Sequence, residues 1–313
     1  MMRVLLRLAY FFLSIQLCSG QDFFADQSLE KIQFSDTLEV NLIQNPYLYL
    51  EGWDTLPQIQ FWRKVISLDP DTSLLNIAKT RQIVYRFPTI WYDTLSREGQ
   101  QAFKDSLQKE LGVAEKEKLY VTYGKQDFYQ LRSVIPEIHQ AIPVFQQAGV
   151  NPWYAQAILL IESPGRLEQS PTGAFGPFQL MKYVARQHGL TVTSEVDERA
   201  IFPKAAEASA RHFKEICIPE TKKILRARGI GYDENALWFR LLVLHVYHAG
   251  ATNVGGVMRK IRPTEGGMSL IRQLWTTRYR RFGNSSQNYS QVALATLLEL
   301  DYIMALEGEL ICE

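Results

Sequence analysis

Glu162 is the residue whose type and position best suit acid–base chemistry, because it follows the almost wholly apolar run Ala155–Ile161. The run predicts a buried helix, and Pro164 disfavours helical geometry at Ser163, so the helix should end near Glu162. The end of a helix carries partial negative charge and apolar neighbours exclude water, so both favour a protonated carboxyl. A general acid that works near neutral pH requires that form. The alternative is a surface acid that extends into water.

A second group of residues lies in the turn Ser170–Met181, which is rich in glycine and proline and leads into a predicted helix. Gly176 allows the backbone to approach a ligand closely, and Gln179 offers an amide that suits an N-acetyl or hydroxyl group. Phe178 could lie against the face of a sugar ring. The alternative is an interhelical loop whose phenylalanine belongs to the core.

A third group is Tyr247–Gly250, at the end of a predicted helix. The Tyr247 phenol could hydrogen-bond a buried carboxyl, or it could be a core tyrosine before the glycine that ends the helix. The residues alone leave both interpretations open.

Taken together, the three groups resemble the lytic transglycosylases of glycoside hydrolase family 23, whose catalytic SLT domain has a lysozyme-like fold. Glu162–Ser163 matches the family's Glu-Ser, and Ser170–Met181 matches its Ser-x-x-Gly-Ala-x-Gly-x-x-Gln-[Leu/Ile]-Met stretch at the key sites. Tyr247–Gly250 corresponds to the family's Tyr-Asn-[Ala/Ser]-Gly. Gln187–Leu190 and Val196–Arg199 are similar to the segment that follows in the membrane-bound type D subgroup.

The resemblance covers residues 150–262 and has clear departures. His248 stands where the family has asparagine, and Pro177 and Phe178 replace the usual leucine or isoleucine and apolar residue. Lys182 stands where a proline is usual. We therefore expect the substrate cleft or its pH response to differ from the family's.

The resemblance implies a mechanism that uses Glu162 alone. Its carboxyl would protonate the glycosidic oxygen between N-acetylmuramic acid and N-acetylglucosamine. The resulting carboxylate would then take the proton of the muramic 6-hydroxyl, which closes a 1,6-anhydro ring. No metal or other cofactor is expected, and Tyr247 would orient the carboxyl. The expected substrate contacts are Ser163, Gly176, Phe178, Gln179, Tyr247 and His248.

Three other functions stay open. One is a goose-type hydrolytic muramidase. Most glycosidases that hydrolyse their substrate use two carboxylates, but Glu168 lies in a loop, and Asp197 and Glu198 are typical of a helix start that pairs with Arg199. The absence of an obvious second acid favours transglycosylation. A murein-binding pseudoenzyme would explain the changes at His248 and Pro177, and delivery against competitor cells is a further possibility.

Residues 1–20 predict a signal peptide, because two arginines accompany an apolar block too short to span a bilayer. The mature chain would begin at Gln21 and lie in the periplasm or cell envelope. Membrane association is expected only if Cys18 is lipidated, and Leu17 departs from the small residue that a lipobox has there. No later stretch approaches the ~18 apolar residues of a membrane span.

Charge and cysteine content limit the partners. The formal charge of +1 becomes −1 once the two arginines of the signal peptide are removed. A near-neutral chain without basic runs argues against nucleic acid. Cys217 and Cys312 persist after cleavage, and an exported pair could form a disulfide or could be two unrelated buried thiols. We expect a monomer whose partner is the peptidoglycan glycan strand.

The predicted fold class is mainly α, with a lysozyme-like domain at 128–313 preceded by a helical region of unknown role at 21–127. Within that region, the spacing of apolar residues predicts one helix over 74–85, which Pro88 stops. A second helix should begin at an N-cap, Ser96, and end at Gly112. Segment 113–124 could include a short strand. Four aromatic residues are expected to pack rather than to bind sugars: Trp53, Trp62, Trp91 and Tyr92.

Overall fold

The computed structural model describes residues 29–35, 37–162 and 169–311, with side chains described up to 306. The chain is mainly helical, with 57% helix and 13% strand, which confirms the predicted class. The strands are β1 (Leu29–Ser35), β2 (Leu38–Ile43), β3 (Thr72–Ile77), β4 (Ile83–Pro88) and β5 (Leu119–Tyr123). The helices are α1 (Tyr47–Leu50), α2 (Pro57–Ser67), α3 (Thr89–Asp93), α4 (Arg97–Glu110), α5 (Leu131–Gln147), α6 (Trp153–Glu162), α7 (Lys182–Gln187), α8 (Phe202–His212), α9 (Ile218–Arg226), α10 (Leu237–Ala249), α11 (Ala251–Ile261), α12 (Met268–Thr276) and α13 (Asn284–Ile311).

Helix α6 is the central helix, because every residue in it before Glu162 is buried. The Asn151 side-chain oxygen accepts a hydrogen bond from the Trp153 backbone N–H at 2.9 Å and so satisfies a free donor of the first turn. The buried Gln156 amide binds both backbone groups of Ile43 in β2, at 2.9 and 2.8 Å. These bonds fix the helix whose last residue is Glu162.

The region 21–127, predicted to be helical, is mixed in its described part, because it contains helices α1 to α4 and also all five of the described strands. β1 and β2 form an antiparallel hairpin, and β4, β3 and β5 form an antiparallel sheet in that order. The segment 74–85, predicted as one helix, is the end of β3, a turn and the start of β4. β3 is the middle strand and is buried on both faces, so its residues lack the polar–apolar alternation that marks a half-exposed strand.

Two hydrophobic cores explain why β3 is buried on both faces. Leu74 packs into the larger core, which joins β2 and α2 to the helices of the C-terminal part. Leu75 points the other way, into a smaller core between the sheet and helices α3 and α4. We call residues 72–125 the sheet unit and the other described residues the helical unit. The segment before β3 thus shares a core with residues 128–306.

Two further predictions for the N-terminal region are confirmed. Helix α4 begins after Ser96, whose hydroxyl accepts a hydrogen bond from the Gly99 backbone N–H at 3.1 Å. It ends before Gly112, which has a φ of +63°. The strand expected within 113–124 is β5.

The predicted signal peptide, 1–20, and its Cys18 lie outside the described residues. None of the described helices combines the length and the apolar character that crossing a bilayer needs.

Candidate active site

A cleft of about 750 Å³ lies between the sheet unit and the helical unit, and Glu162 is part of its wall. The helical unit contributes the end of α6 with Glu162, the end of α10 with His248, and the start of α13 with Tyr289. The sheet unit contributes β5 with Tyr120, and Lys125 just after it. Among the described residues that line the cleft, Glu162 is the one carboxylic acid.

The Glu162 carboxyl is poised to exchange a proton near neutral pH. Its side chain is partly buried, and burial raises its pKa from 4.5 to about 7. The Tyr289 hydroxyl acts in the opposite direction, because it stabilises the carboxylate, but burial dominates. The sequence-based expectation of a raised pKa is therefore matched by the burial that the fold gives this residue.

Tyr289 and His248 form the aromatic side of the site next to Glu162. Their rings are stacked, with centroids 4.2 Å apart and planes inclined by 22°. Tyr289 is buried, and burial together with the Glu162 charge raises its pKa well above 10. Its hydroxyl is buried and has no hydrogen bond of ordinary geometry within the described residues, and the group it interacts with is the Glu162 carboxyl. His248 lines the cleft, and desolvation of its ring by the surrounding protein lowers its pKa to about 4, so the ring is neutral at pH 7.

Sequence reasoning missed Tyr289. It lies at the start of α13, far along the chain from Glu162, and the tertiary fold alone brings the two together. The nearest signal was a set of polar residues that precede the apolar part of this helix: Asn284, Ser285, Ser286 and Asn288. Asparagine and serine are also the usual residues at a helix start, so this signal does not by itself identify Tyr289.

The turn 170–181 is held by a buried arginine. Arg199 is 1% exposed. Two of its nitrogens donate to the two carboxylate oxygens of Asp197, at 2.9 and 2.6 Å. It also donates to the backbone carbonyls of Gly173 and Leu180. This confirms the expected pairing of Asp197 with Arg199. Gly176 has a φ of +81°, and a Cβ atom there would lie 2.0 Å from the Arg199 carbonyl oxygen.

Two expected substrate contacts in this turn are therefore corrected. Gly176 lets the backbone approach Arg199, and not a ligand. Phe178 is completely buried and packs against Phe145 and Phe202, at centroid distances of 6.0 and 5.8 Å, so it is a core residue and not a sugar platform.

Gln179 also lies outside the described lining of the cleft. Its side-chain amide donates to the Gly176 carbonyl at 3.1 Å, within the same turn. Its φ of +45° is a strained value for a residue with a side chain. Contact between Gln179 and a ligand stays a prediction, and so does any role of Ser163, which falls within the segment 163–168 outside the described residues.

Tyr247 has a different partner from the one expected. Its hydroxyl donates to the Phe178 carbonyl oxygen at 2.5 Å and lies 3.5 Å from the Ser209 hydroxyl. A phenol has a single proton to donate, so this bond ties α10 to the turn and leaves none for Glu162. The expectation that Tyr247 orients Glu162 is corrected in favour of Tyr289.

The aromatic residues of the N-terminal region were expected to pack, and most of them do. Trp53 and Tyr92 are buried, whereas Trp91 is 42% exposed. Trp62 is also buried, and its ring N–H donates to the Gln291 side-chain oxygen at 3.2 Å, which joins α2 to α13. Trp62 and Tyr92 nevertheless line the cleft, so these two residues both pack in the protein interior and form part of the cleft wall.

Cys217 is fully buried and forms no disulfide with another described residue, and burial raises the pKa of its thiol. Cys312 lies outside the described residues, so a bridge between the two stays a prediction. The described residues contain no group of three or more His, Cys, Asp or Glu side chains that could hold a metal ion.

Comparisons with protein-family models, with curated proteins and with solved structures found no match for this chain.

Proposed function

We propose that the protein is a peptidoglycan lytic transglycosylase that cleaves the bond between N-acetylmuramic acid and N-acetylglucosamine, with Glu162 as its single acid/base. The observation that carries the proposal is a partly buried carboxyl with a pKa of about 7 in a cleft of about 750 Å³. The three ordered sequence motifs support the family and a lysozyme-like fold for the helical unit. The chemistry of the site supports the mechanism.

The mechanism uses the same carboxyl twice. Protonated Glu162 donates to the glycosidic oxygen as the bond to the anomeric carbon breaks. The carboxylate then accepts the proton of the muramic 6-hydroxyl, whose oxygen bonds to the anomeric carbon and forms the 1,6-anhydro ring. A group with a pKa near the working pH suits both steps, and the Tyr289 hydroxyl stabilises the carboxylate between them.

A hydrolytic muramidase is less well supported. Retaining and inverting glycosidases use a pair of carboxylates, and the described lining of the cleft offers only Glu162. A binding protein without turnover would not require the raised pKa.

The test compares wild type with Glu162→Gln on purified sacculi, with release of soluble fragments as the measurement. Glu110→Gln, an exposed carboxyl at the end of α4, is the matched control. We expect Glu162→Gln to fold and to lose at least about a thousandfold in rate, whereas Glu110→Gln keeps full activity. If Glu162→Gln retains a tenth of the wild-type rate, Glu162 is not the acid/base.

A further inference from the structure

The charges of the cleft come from opposite walls. The described lining residues include two cations, Arg81 and Lys125, and both belong to the sheet unit. The helical wall contributes one carboxyl, Glu162, which is largely protonated below pH 7. The sheet wall therefore presents positive charge to whatever the cleft binds.

Arg81 is held rigidly in the turn between β3 and β4. Its backbone adopts φ +62°, which is uncommon for a residue with a side chain, and its N–H donates to the Ile77 carbonyl at 2.8 Å. The guanidinium carbon lies 5.5 to 5.7 Å from the ring centroids of Phe61, Trp62 and Tyr120. Such an aromatic surround stabilises a cation without neutralising it.

No carboxylate among the described residues pairs with Arg81, although the residue is only 5% exposed. Its hydrogen bonds go to the neutral side-chain oxygens of Asn76, Asn284 and Asn288, at 3.2, 3.2 and 2.6 Å. A guanidinium has five N–H donors, so these three bonds leave two without a hydrogen bond to the described residues. Buried charges in proteins are usually paired, and an uncompensated one at a cleft wall is therefore a candidate anion site.

Lys125 extends the same positive wall. Its ammonium lies 5.3 Å from the ring centroid of Phe128, another lining residue, and burial lowers its pKa. Asp127 offsets part of its charge, so Arg81 is the stronger of the two. The Lys125 backbone N–H donates to the Val65 carbonyl at 2.9 Å, which fixes the residue at the junction of the two units.

We propose that Arg81, assisted by Lys125, binds carboxylates of the substrate, and that these belong to the stem peptides attached to muramic acid. The inference rests on the proposed function and adds a preference to it. The sheet unit would select glycan strands that carry anionic peptides, because the guanidinium gains an ion pair with a carboxylate and only a hydrogen bond with a neutral amide.

The experiment compares native glycan strands with strands whose carboxylates have been converted to neutral amides by carbodiimide and ammonia. Both substrates have the same sugars and the same peptide backbones, and they differ in that each anionic carboxylate is replaced by a neutral amide of nearly the same size. Binding is measured on the full-length protein in the Glu162→Gln background, so that turnover does not change the ligand. Arg81→Gln, Arg81→Lys and Lys125→Met are then added singly. Lys109→Met, which removes an exposed lysine of α4 outside the cleft, is the control.

We expect the parent protein to bind native strands about tenfold more tightly than amidated ones. The ratio of the affinity for native strands to that for amidated strands should fall below about twofold in Arg81→Gln and to about threefold in Lys125→Met. It should stay at about tenfold in Lys109→Met. Equal binding of the two substrates by the parent would overturn the inference. So would an equal loss of affinity for both substrates in Arg81→Gln, because that result would make Arg81 a brace between the units.

Folding of each variant is checked by its melting temperature. Should Arg81→Gln fail to fold, Arg81→Lys and Lys125→Met decide: a reduced ratio in either supports the site, and an unchanged ratio in both overturns it. Release of fragments from sacculi by wild type tests the proposed function separately. If binding depends on the substrate carboxylates but no soluble fragments are released, the proposed transglycosylase function is wrong and the carboxylate-binding site is still supported.

Discussion

The two walls of the cleft differ in what their residues contribute. The helical wall carries the groups that suit chemistry: a carboxyl with a raised pKa and the Tyr289 hydroxyl beside it. The sheet wall carries the groups that suit binding, two cations among aromatic rings. The acid is fixed at the end of a buried helix, whereas the cations belong to a small unit with its own core. Reaction and recognition can therefore be altered separately.

The largest stability effect is expected at Phe178, which the sequence placed in the site and the structure places in the core. Phe178→Ala should lower the free energy of unfolding by about 3–5 kcal/mol, because it leaves a cavity beside Phe145. Phe128→Ala, in the cleft, is the matched change and should cost less than about 1 kcal/mol but raise KM. Denaturant unfolding and initial rates measure both effects. If Phe178→Ala instead raises KM and Phe128→Ala causes the larger loss of stability, Phe178 contacts the substrate and is not a core residue.

A pH-dependent stability effect is expected at Glu162. Its folded-state pKa of about 7 lies above the ordinary 4.5, so the folded state holds the proton more tightly. That contribution to stability is complete below pH 4.5 and is lost as pH rises through 7. Glu162→Gln cannot ionise, so it should match wild type at pH 4.5 and exceed it by about 2–3 kcal/mol at pH 8. Thermal unfolding measures the stability of both proteins. If wild type and Glu162→Gln are equally stable at pH 4.5 and also at pH 8, the carboxyl is not desolvated.

The two tyrosines near Glu162 provide a paired comparison on the helical wall. Tyr289→Phe should cost about 1–3 kcal/mol of transition-state stabilisation in kcat, because the carboxylate loses its hydroxyl partner. It should also raise the upper pKa of the rate profile. Tyr247→Phe should leave kcat unchanged and reduce stability by about 1 kcal/mol, because it removes the bond to the Phe178 carbonyl. A loss of kcat in Tyr247→Phe alone would restore the original assignment.

The smallest effect is expected at His248. His248→Asn restores the residue of the resembling family and removes the ring stacked on Tyr289. The lost contact should change kcat/KM by less than about 1 kcal/mol, with no new titration between pH 5 and 8, because the histidine is already neutral there. If the pH profile of kcat/KM shifts in His248→Asn, His248 is protonated at some stage of turnover.

What the sequence could predict depended on the range of the interactions. The position of Glu162 at the end of a buried helix follows from that helix alone, whose apolar run and end are visible in the chain. The bounds of α4 follow in the same way, because Ser96 and Gly112 act on the turns next to them. Such features need no knowledge of the tertiary fold.

The errors concern residues whose surroundings come from elsewhere in the chain. Gly176 looked like a ligand contact because the Arg199 carbonyl that it approaches is not apparent from the motif. Strand β3 looked like part of a helix because two separate cores bury its two faces. Arg81 lay inside that expected helix, where an arginine is an ordinary surface residue, and its aromatic surround forms only once the sheet unit packs on α2.

The central claim is that the Glu162 carboxyl serves as both acid and base without water as the nucleophile. Digestion of sacculi in water labelled with oxygen-18, followed by mass analysis of the released fragments, tests it most directly. We expect fragments that are lighter by one water than the hydrolytic products and carry no label, because the muramic 6-hydroxyl closes the ring. Fragments with a reducing end that contains the labelled oxygen would contradict it.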